Sequence, residues 1–550
     1  MPTIEVSYLD LCGLIGRRIG LEELKDLVSF AKCEIDAVEG DILKIEAKDT
    51  NRPDLWSSEG IAREIRSRVF KPVFPEYEVK SSGVVVEVDK KVSKVRPYTV
   101  CAVVKNLNIS QAFLSQMIQL QEKISGSWGR NRREVAIGVY DYDKILPPIK
   151  FTTVKPDGIK FIPLDFKEAL TPREILEKHP KGREFGHLLA GNTEYPIFID
   201  ARNEVLSMPP IINSEYSGKI TGETKNIFIE CSGFDLKFLM PALNVMVAAM
   251  ADRGGEIFSV EVSYPDKTIV TPNLNPKKTF VDVSYVRKIS GLNLSLNEIC
   301  KLLEKANYKV LKKGKRIELL YPAYRNDIMH QRDVVEDVII SFGYNKIKPE
   351  PLKMKVEGRI SEIEFKTEKV AELMVKLGFQ EILSYTLTNR DNLFKKMNLK
   401  EGKVAEIENI ISENWSVFRT WLIPSLMEFF SNNKHVEYPQ KIFEVGDVVL
   451  IDEKQETRTK DVRKLAVAIA DSRVSYDDIS AVLDAFMSSL EVKYKLKKSK
   501  HPSFIEGRTA EIFVKGKRVG IIGEIHPSVL ENWKMEMPVA AFEIDLSFIP

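Results

Sequence analysis

No single hydrophobic core can organise a chain of 550 residues, because one core stops growing near roughly 250–300 residues and longer chains divide. At about 150 residues per domain, three or four folding units are expected. Residues 1–88 read as a strand, a helix from Leu21 to Phe30, a strand pair and a second helix from Ser58. The two prolines and Ser-Ser-Gly of KPVFPEYEVKSSG then mark a linker. Residues 89–265 alternate apolar strand runs (VVVEV, YTVCAVVKNL, VAIGVYDY, FIECSGFDL) with helices. One helix runs from Ala112 to Lys123, and another opens at Thr171 and Pro172. In residues 268–347, Ser295 and Glu298 form a capping box ahead of Ile299, Leu302, Leu303 and Ala306 at helical spacing. A hairpin around Gly314 and a helix from Gln331 to Phe342 complete a small winged-helix-like domain. Residues 355–550 begin with a long helix, Ser361 to Leu377, and close with the strand AAFEIDL, while the charged stretch at 452–461 reads as a solvated hairpin turn. The fold class is α+β and multidomain.

Composition narrows the function classes. The chain is 44% hydrophobic and 29% charged, as soluble globular proteins are. No apolar run approaches the roughly 18 residues of a membrane span. The N-terminus MPTIEVSYLDLCGLIG opens with strand-like alternation and lacks a basic-then-apolar signal. A cytoplasmic protein with no membrane partner is expected. Cys12, Cys33, Cys101, Cys231 and Cys300 lie far apart without a CxxC pair. That argues against zinc and disulfides and fits a reducing compartment. With 81 basic and 79 acidic residues the net charge is only +2, so nucleic-acid contacts would come from local patches. Arg130, Arg132 and Arg133 beside Trp128 make one such patch; Lys312, Lys313, Lys315 and Arg316 around Gly314 read more simply as a solvated turn.

One helix carries an unusual acidic face. At 100° per residue Asp333, Glu336 and Asp337 share a sector, with Asp327 just before the helix. Val334, Val335, Val338, Ile339 and Phe342 fill the opposite sector and would bury. Four converging carboxylates repel one another unless a cation lies between them, and all-oxygen ligation suits Mg²⁺. The other reading is plainer: acidic residues in a first helical turn are favoured by the helix dipole, and an acidic surface needs no metal.

Three blocks carry a family resemblance. Asp49 to Glu64 (DTNRPDLWSSEGIARE) looks like the NRPDL…GIARE signature of phenylalanyl-tRNA synthetase β subunits of the archaeal and eukaryotic type. Pro322 to Ile347 is similar to that family's PxxRxDI…GY.NI block. Glu506-Gly-Arg-Thr-Ala, Gly523-Glu-Ile-His526-Pro and Pro538-Val-Ala-Ala-Phe-Glu match its closing strands. The resemblance spans all four proposed units. It implies an N-terminal α+β domain (1–88), an α+β tRNA-editing-type domain (89–265), a winged-helix-like Mg-binding domain (268–347) and an inactive, class II synthetase catalytic-like antiparallel-sheet domain (355–550). It also implies Mg²⁺ held by Asp327, Asp333, Glu336 and Asp337 and shared with a catalytic α subunit. The assembly would be an (αβ)₂ heterotetramer charging tRNA-Phe, with ATP and phenylalanine bound by α. The late segment Gly520 to Leu530 has no arginine at its helix start, where a class II site needs one for phosphate. Arg419 and Arg508 read as ion-pair residues, and His526 as structural.

The family's middle domain hydrolyses Tyr-tRNA, a need that follows from chemistry, since an apolar pocket rejects an added hydroxyl only about a hundredfold. The matching region runs from Pro209 to Gly218 and from Glu230 to Lys237, which makes Asn213, Ser217 and Asp235 the editing candidates. The family pattern has threonines where this chain has Ser232, Phe234 and Lys237. Asp235 also reads as a helix N-cap. Alternatives to a ligase subunit are a freestanding editing hydrolase and a tRNA-binding scaffold.

Overall fold

Alternation at the N-terminus buries Ile4 and Val6 and leaves Thr3 and Glu5 outward in the strand Thr3–Ser7. The strand stops sooner than its pattern suggests. Ser7 accepts a hydrogen bond from the Asp10 N–H and caps the helix Tyr8–Ile15. A three-stranded antiparallel sheet results, with Ile42–Ala47 between Thr3–Ser7 and Cys33–Glu39. The helix Ser58–Ile65 is buried at every residue. Its Gly60 abuts the preceding turn so closely that a Cβ there would lie 1.6 Å from the Asp54 carbonyl oxygen. Only glycine permits that approach. The computed structural model describes residues 2–351 and 357–548, and the chain divides into the units Met1–Pro351 and Leu352–Pro550.

The central sheet of the first unit has ten strands, nine of them in the order Ile212–Asn213, Val205–Met208, Tyr195–Ile199, Ile149–Val154, Val79–Val88, Glu256–Ser263, Tyr98–Lys105, Ile227–Gly233 and Val135–Asp141. Val79–Val88 runs parallel to both its neighbours. The Ser-Ser-Gly expected to be linker instead lies inside that strand, where Ser82 and Gly83 bulge out of register. Helix Leu236–Asp252 covers one face with Leu239, Leu243, Met246 and Met250. Tyr140, Phe151, Phe198 and Phe228 fill the other, the rings of Phe151 and Phe198 stacking at 4.3 Å.

The small domain follows its sequence signals closely. Ser295 and Glu298 form the expected capping box on Leu296–Lys305, and Lys309–Lys312 turns into Arg316–Tyr321. The sheet is completed by Lys277–Asp282, and Gln331–Phe342 closes the core with Val334, Val335 and Val338. Lys312 and Arg316 pair with Glu318 and Asp282, as a solvated turn would.

In the second unit a seven-stranded sheet is antiparallel except at the edge strand Gln380–Glu381. Helices Glu362–Lys376 and Tyr476–Ser489 pack on one face through Val370, Met374, Leu483 and Phe486. Ile423–Asn432 packs on the other through Leu426 and Phe430. The charged stretch at 452–461 turns between Gln440–Ile451 and Thr459–Ala470. The protein is thus α+β and multidomain, and no described helix is long and apolar enough to cross a membrane.

Candidate functional site

The NRPDL segment and the acidic helix meet in a buried ionic lattice. Arg52 grips Asp54 with two bonds of 2.9 and 2.7 Å and reaches Glu64 at 3.1 Å. Arg68 joins Glu64 (2.8 Å) to Asp337 (2.5 Å) and Ser341 (2.7 Å). Arg325 holds Asp327 through two bonds of 2.8 and 2.5 Å and donates to the second oxygen of Asp337 at 2.8 Å, which the Tyr308 hydroxyl also meets at 2.8 Å. None of these seven charged side chains is more than 8% exposed. Burial alone would raise the carboxyl pKa values. The guanidiniums outweigh it, holding Glu64 at about 2, Asp337 well below the usual carboxylate range and Asp327 below it.

In this geometry the four carboxylates expected to hold Mg²⁺ do not converge on one point. Asp337 faces the core, not the acidic surface. Asp333 accepts from the Met329 and His330 N–H groups at 2.8 and 2.7 Å, capping its own helix. Glu336 is exposed and pairs with Lys32 at 3.0 Å. Arg52, Arg68 and Arg325 already balance the charges of Asp327 and Asp337. The donor set does not fit Mg²⁺ as arranged. Among the described residues, the one grouping of three acidic, histidine or cysteine ligand atoms within 4.8 Å is Glu34, Asp36 and Glu46.

A second constellation lies in the ten-stranded sheet. Pro209, Pro210, Asn213, Arg132, His179 and Glu230 help line a cavity of about 230 Å³. Glu230 sits in the fully buried strand Ile227–Gly233. Burial pushes its carboxyl up to about 7 against the opposing pull of Arg96. Its Oε1 lies 3.2 Å from the Tyr140 hydroxyl, itself 2.7 Å from Ser207 Oγ, and its Oε2 has no partner. Gly138 makes the room, since a Cβ there would lie 2.0 Å from the Tyr140 hydroxyl oxygen. A carboxyl poised near neutrality can donate or accept a hydrogen bond, so the cavity can recognise a hydroxyl-bearing ligand.

The three editing candidates separate in space. Asn213 lines the cavity. Ser217 is buried, its hydroxyl 3.0 Å from Ser214 Oγ. Asp235 caps helix Leu236–Asp252 by accepting from the Lys237 N–H at 2.8 Å. Phe234 and Lys237 are exposed and do not line the cavity. His179 has both ring nitrogens engaged, with the Leu164 carbonyl and the Lys181 N–H. Glu230, Tyr140 and Arg96 are not among the sequence candidates. A lone carboxylate inside the apolar run IFIECSG was the available signal, because an unpaired charge is almost never fully buried without purpose. In the second unit, Arg419 is buried against Glu444 (2.7 Å), Arg508 pairs with Glu524 (2.6 Å), and His526 caps Pro527–Asn532. These are structural roles.

The lattice and the cavity make separate predictions. Asp337→Ala should cost about 3–5 kcal/mol by removing the carboxylate that Arg68 and Arg325 share, and exposed Glu336→Ala less than about 1 kcal/mol, with or without EDTA in thermal unfolding. Equal, EDTA-sensitive effects would contradict the lattice. Glu230 has a raised folded pKa, so its ionisation costs stability as pH climbs from about 4.3 towards 7. Glu230→Gln should match the parent at pH ~4 and exceed its melting temperature above pH ~7. A constant difference across that range would contradict the assignment.

Comparison with known proteins agrees with this architecture. Residues 347–546 match the phenylalanyl tRNA synthetase beta chain CLM domain, 279–344 the tRNA synthetase B5 domain and 87–240 the B3/4 domain. The phenylalanine–tRNA ligase beta subunit of Pyrococcus abyssi is 53% identical over 551 residues, covering 99% of both chains. That of Korarchaeum cryptofilum is 40% identical over 99% of this chain and 98% of its own. The crystal structure of an N-terminal fragment of the phenylalanyl-tRNA synthetase β-subunit from Pyrococcus horikoshii is also similar. It superposes with a TM-score of 0.61 at 53% identity, over 62% of this chain and all of the fragment. The chain belongs to the phenylalanine–tRNA ligase beta subunit family.

Proposed function

We propose that the protein works with a catalytic α subunit to join phenylalanine to tRNA-Phe at the expense of ATP, as an (αβ)₂ heterotetramer in the cytoplasm. ATP and phenylalanine bind the α subunit, and any Mg²⁺ requirement travels with the ATP phosphates. Five free, buried cysteines suit a reducing compartment. The observation that carries the reading is the state of the second unit. Its interior arginine, Arg419, is spent on Glu444 and Ser384 and is 3% exposed, so it is not available to hold a phosphate. The same unit leaves large apolar side chains in water: Leu383 at 86%, Tyr385 at 74% and Ile411 fully exposed. Tyr385 packs edge-on to Trp415 at 4.9 Å, which ties the two exposed segments into one patch. Such a patch marks a protein interface, and the α subunit is its occupant.

In the first unit, the Glu230 cavity is the site where a misattached tyrosine is recognised for hydrolysis. Its buried carboxyl meets the added phenol hydroxyl that an apolar phenylalanine pocket tolerates. The roles of Asn213, Ser217 and Asp235 in that step divide with their positions: Asn213 contacts the ligand, while Ser217 and Asp235 hold the surrounding backbone.

Co-expression with the α subunit tests the assembly. Native mass measurement should give (αβ)₂ for the parent and free chains for Leu383→Asp/Ile411→Asp, which alters only exposed residues and leaves the isolated fold intact. An unperturbed tetramer would contradict the assigned interface.

A further inference from the structure

Beside the Glu230 cavity lies a basic groove that none of the roles above explains. Its rim is the segment after the π-helical turn Ile124–Trp128. There the Gly129 N–H donates to the Ile124 carbonyl (2.7 Å), the Asn131 N–H to Gly126 (2.9 Å) and the Arg132 N–H to Ser125 (2.8 Å). These bonds impose φ values of 50°, 53° and 65° on Arg130, Asn131 and Arg132. Three consecutive side-chain-bearing residues in the left-handed region are uncommon, and such strain clusters at ligand sites.

The strained turn sends its arginines in different directions. Arg132 turns inward, donating to the carbonyls of Pro210 and Ile211 at 3.2 and 2.9 Å, and walls the Glu230 cavity. Arg130 and Arg133 remain exposed, with no ion pair among the described residues. With Arg96, His187 and Phe234 they line an open groove of about 440 Å³. Trp128, beside these arginines in sequence, is not the aromatic partner, because its ring packs on Phe238 and its N–H donates to the Phe238 carbonyl. Phe234 takes that place. It is 46% exposed and rests 5.7 Å from the buried guanidinium of Arg96. Arg96 in turn donates to Ser232 Oγ at 3.0 Å and to the carbonyls of Ser232 and Arg132. It thereby ties the groove floor to the strand that carries Glu230.

Unpaired guanidiniums around an exposed ring on a cationic floor suit a single-stranded nucleic acid, with phosphates drawn to the arginines and a base stacked on the ring. We propose that this groove receives the single-stranded 3′ end of tRNA, Arg130 and Arg133 on its phosphates and Phe234 against a base. The end is thereby aimed at the Glu230 cavity. The inference rests on the reading of that cavity as the hydrolytic site, and these three are positioning residues rather than catalytic ones.

The test uses the full α–β complex and fluorescence anisotropy with a short labelled single-stranded RNA ending in CCA. Arg130→Gln/Arg133→Gln should weaken binding at least about tenfold and flatten the salt dependence by roughly 0.7 per lost phosphate contact. Phe234→Ser should weaken binding about tenfold with the salt slope unchanged, as lost stacking would. Lys312→Gln/Lys313→Gln removes the same charge elsewhere and should bind as the parent does. Parent-like binding by the groove variants would overturn the inference, as would equal competition by an acidic peptide. Hydrolysis of Tyr-tRNA-Phe separates the two readings. With Arg130→Gln/Arg133→Gln, KM should rise about tenfold at unchanged kcat. A complex with no hydrolysis at all counts against the cavity, while the anisotropy result still decides the groove.

Discussion

Three guanidiniums and four carboxylates kept out of water set the terms on which the first unit is built. Arg52, Asp54, Glu64 and Arg68 come from the first 70 residues, and Arg325, Asp327 and Asp337 from more than 250 residues later. Buried charges of this kind contribute little net stability as a set, yet losing one partner is expensive. The lattice ties the small winged-helix-like domain to the N-terminal segment, through Arg68 to Asp337 and Ser341 and through Asn307 to Glu64. Gly60, pressed against the Asp54 carbonyl, fixes the turn that presents Arg52 and Asp54 to the others. Two of the four carboxylates grouped by the sequence, Asp327 and Asp337, are neutralised by arginine in this structure.

The Glu230 cavity uses buried charge in the opposite sense. In the lattice, several cations hold carboxyls ionised. At Glu230 a single opposing guanidinium does not offset burial, and the carboxyl stays near neutrality with one oxygen unpartnered. One chain thus holds both fully paired buried acids and an under-paired one. The second unit continues the theme, since its interior arginine is committed to Glu444 while Leu383, Tyr385 and Ile411 stay exposed.

Much of the fold was legible because local signals were unopposed. The boxes at Thr171/Glu174 and Ser295/Glu298 cap the expected helices, and the helix Gln331–Phe342 lies where its periodicity placed it. Legibility failed where partners were distant. Asp337 shares a helical sector with Asp333 and Glu336, so spacing alone placed it on the acidic surface. The arginine that buries it, Arg68, is 269 residues away. The Ser-Ser-Gly expected as linker is a strand bulge because Glu256–Ser263, distant in sequence, pairs with the chain on both sides of it. Phe234 looked like a defect in an editing motif, and only the turn at Arg130 to Arg132, remote in sequence, gives its exposure a context.

The proposed division of labour leaves recognition and docking to this chain and bond-making to its companion. Phenylalanine-dependent ATP–pyrophosphate exchange measures it most directly. Exchange should be absent with the isolated chain and appear when the α subunit is added. Exchange by this chain alone would contradict the claim.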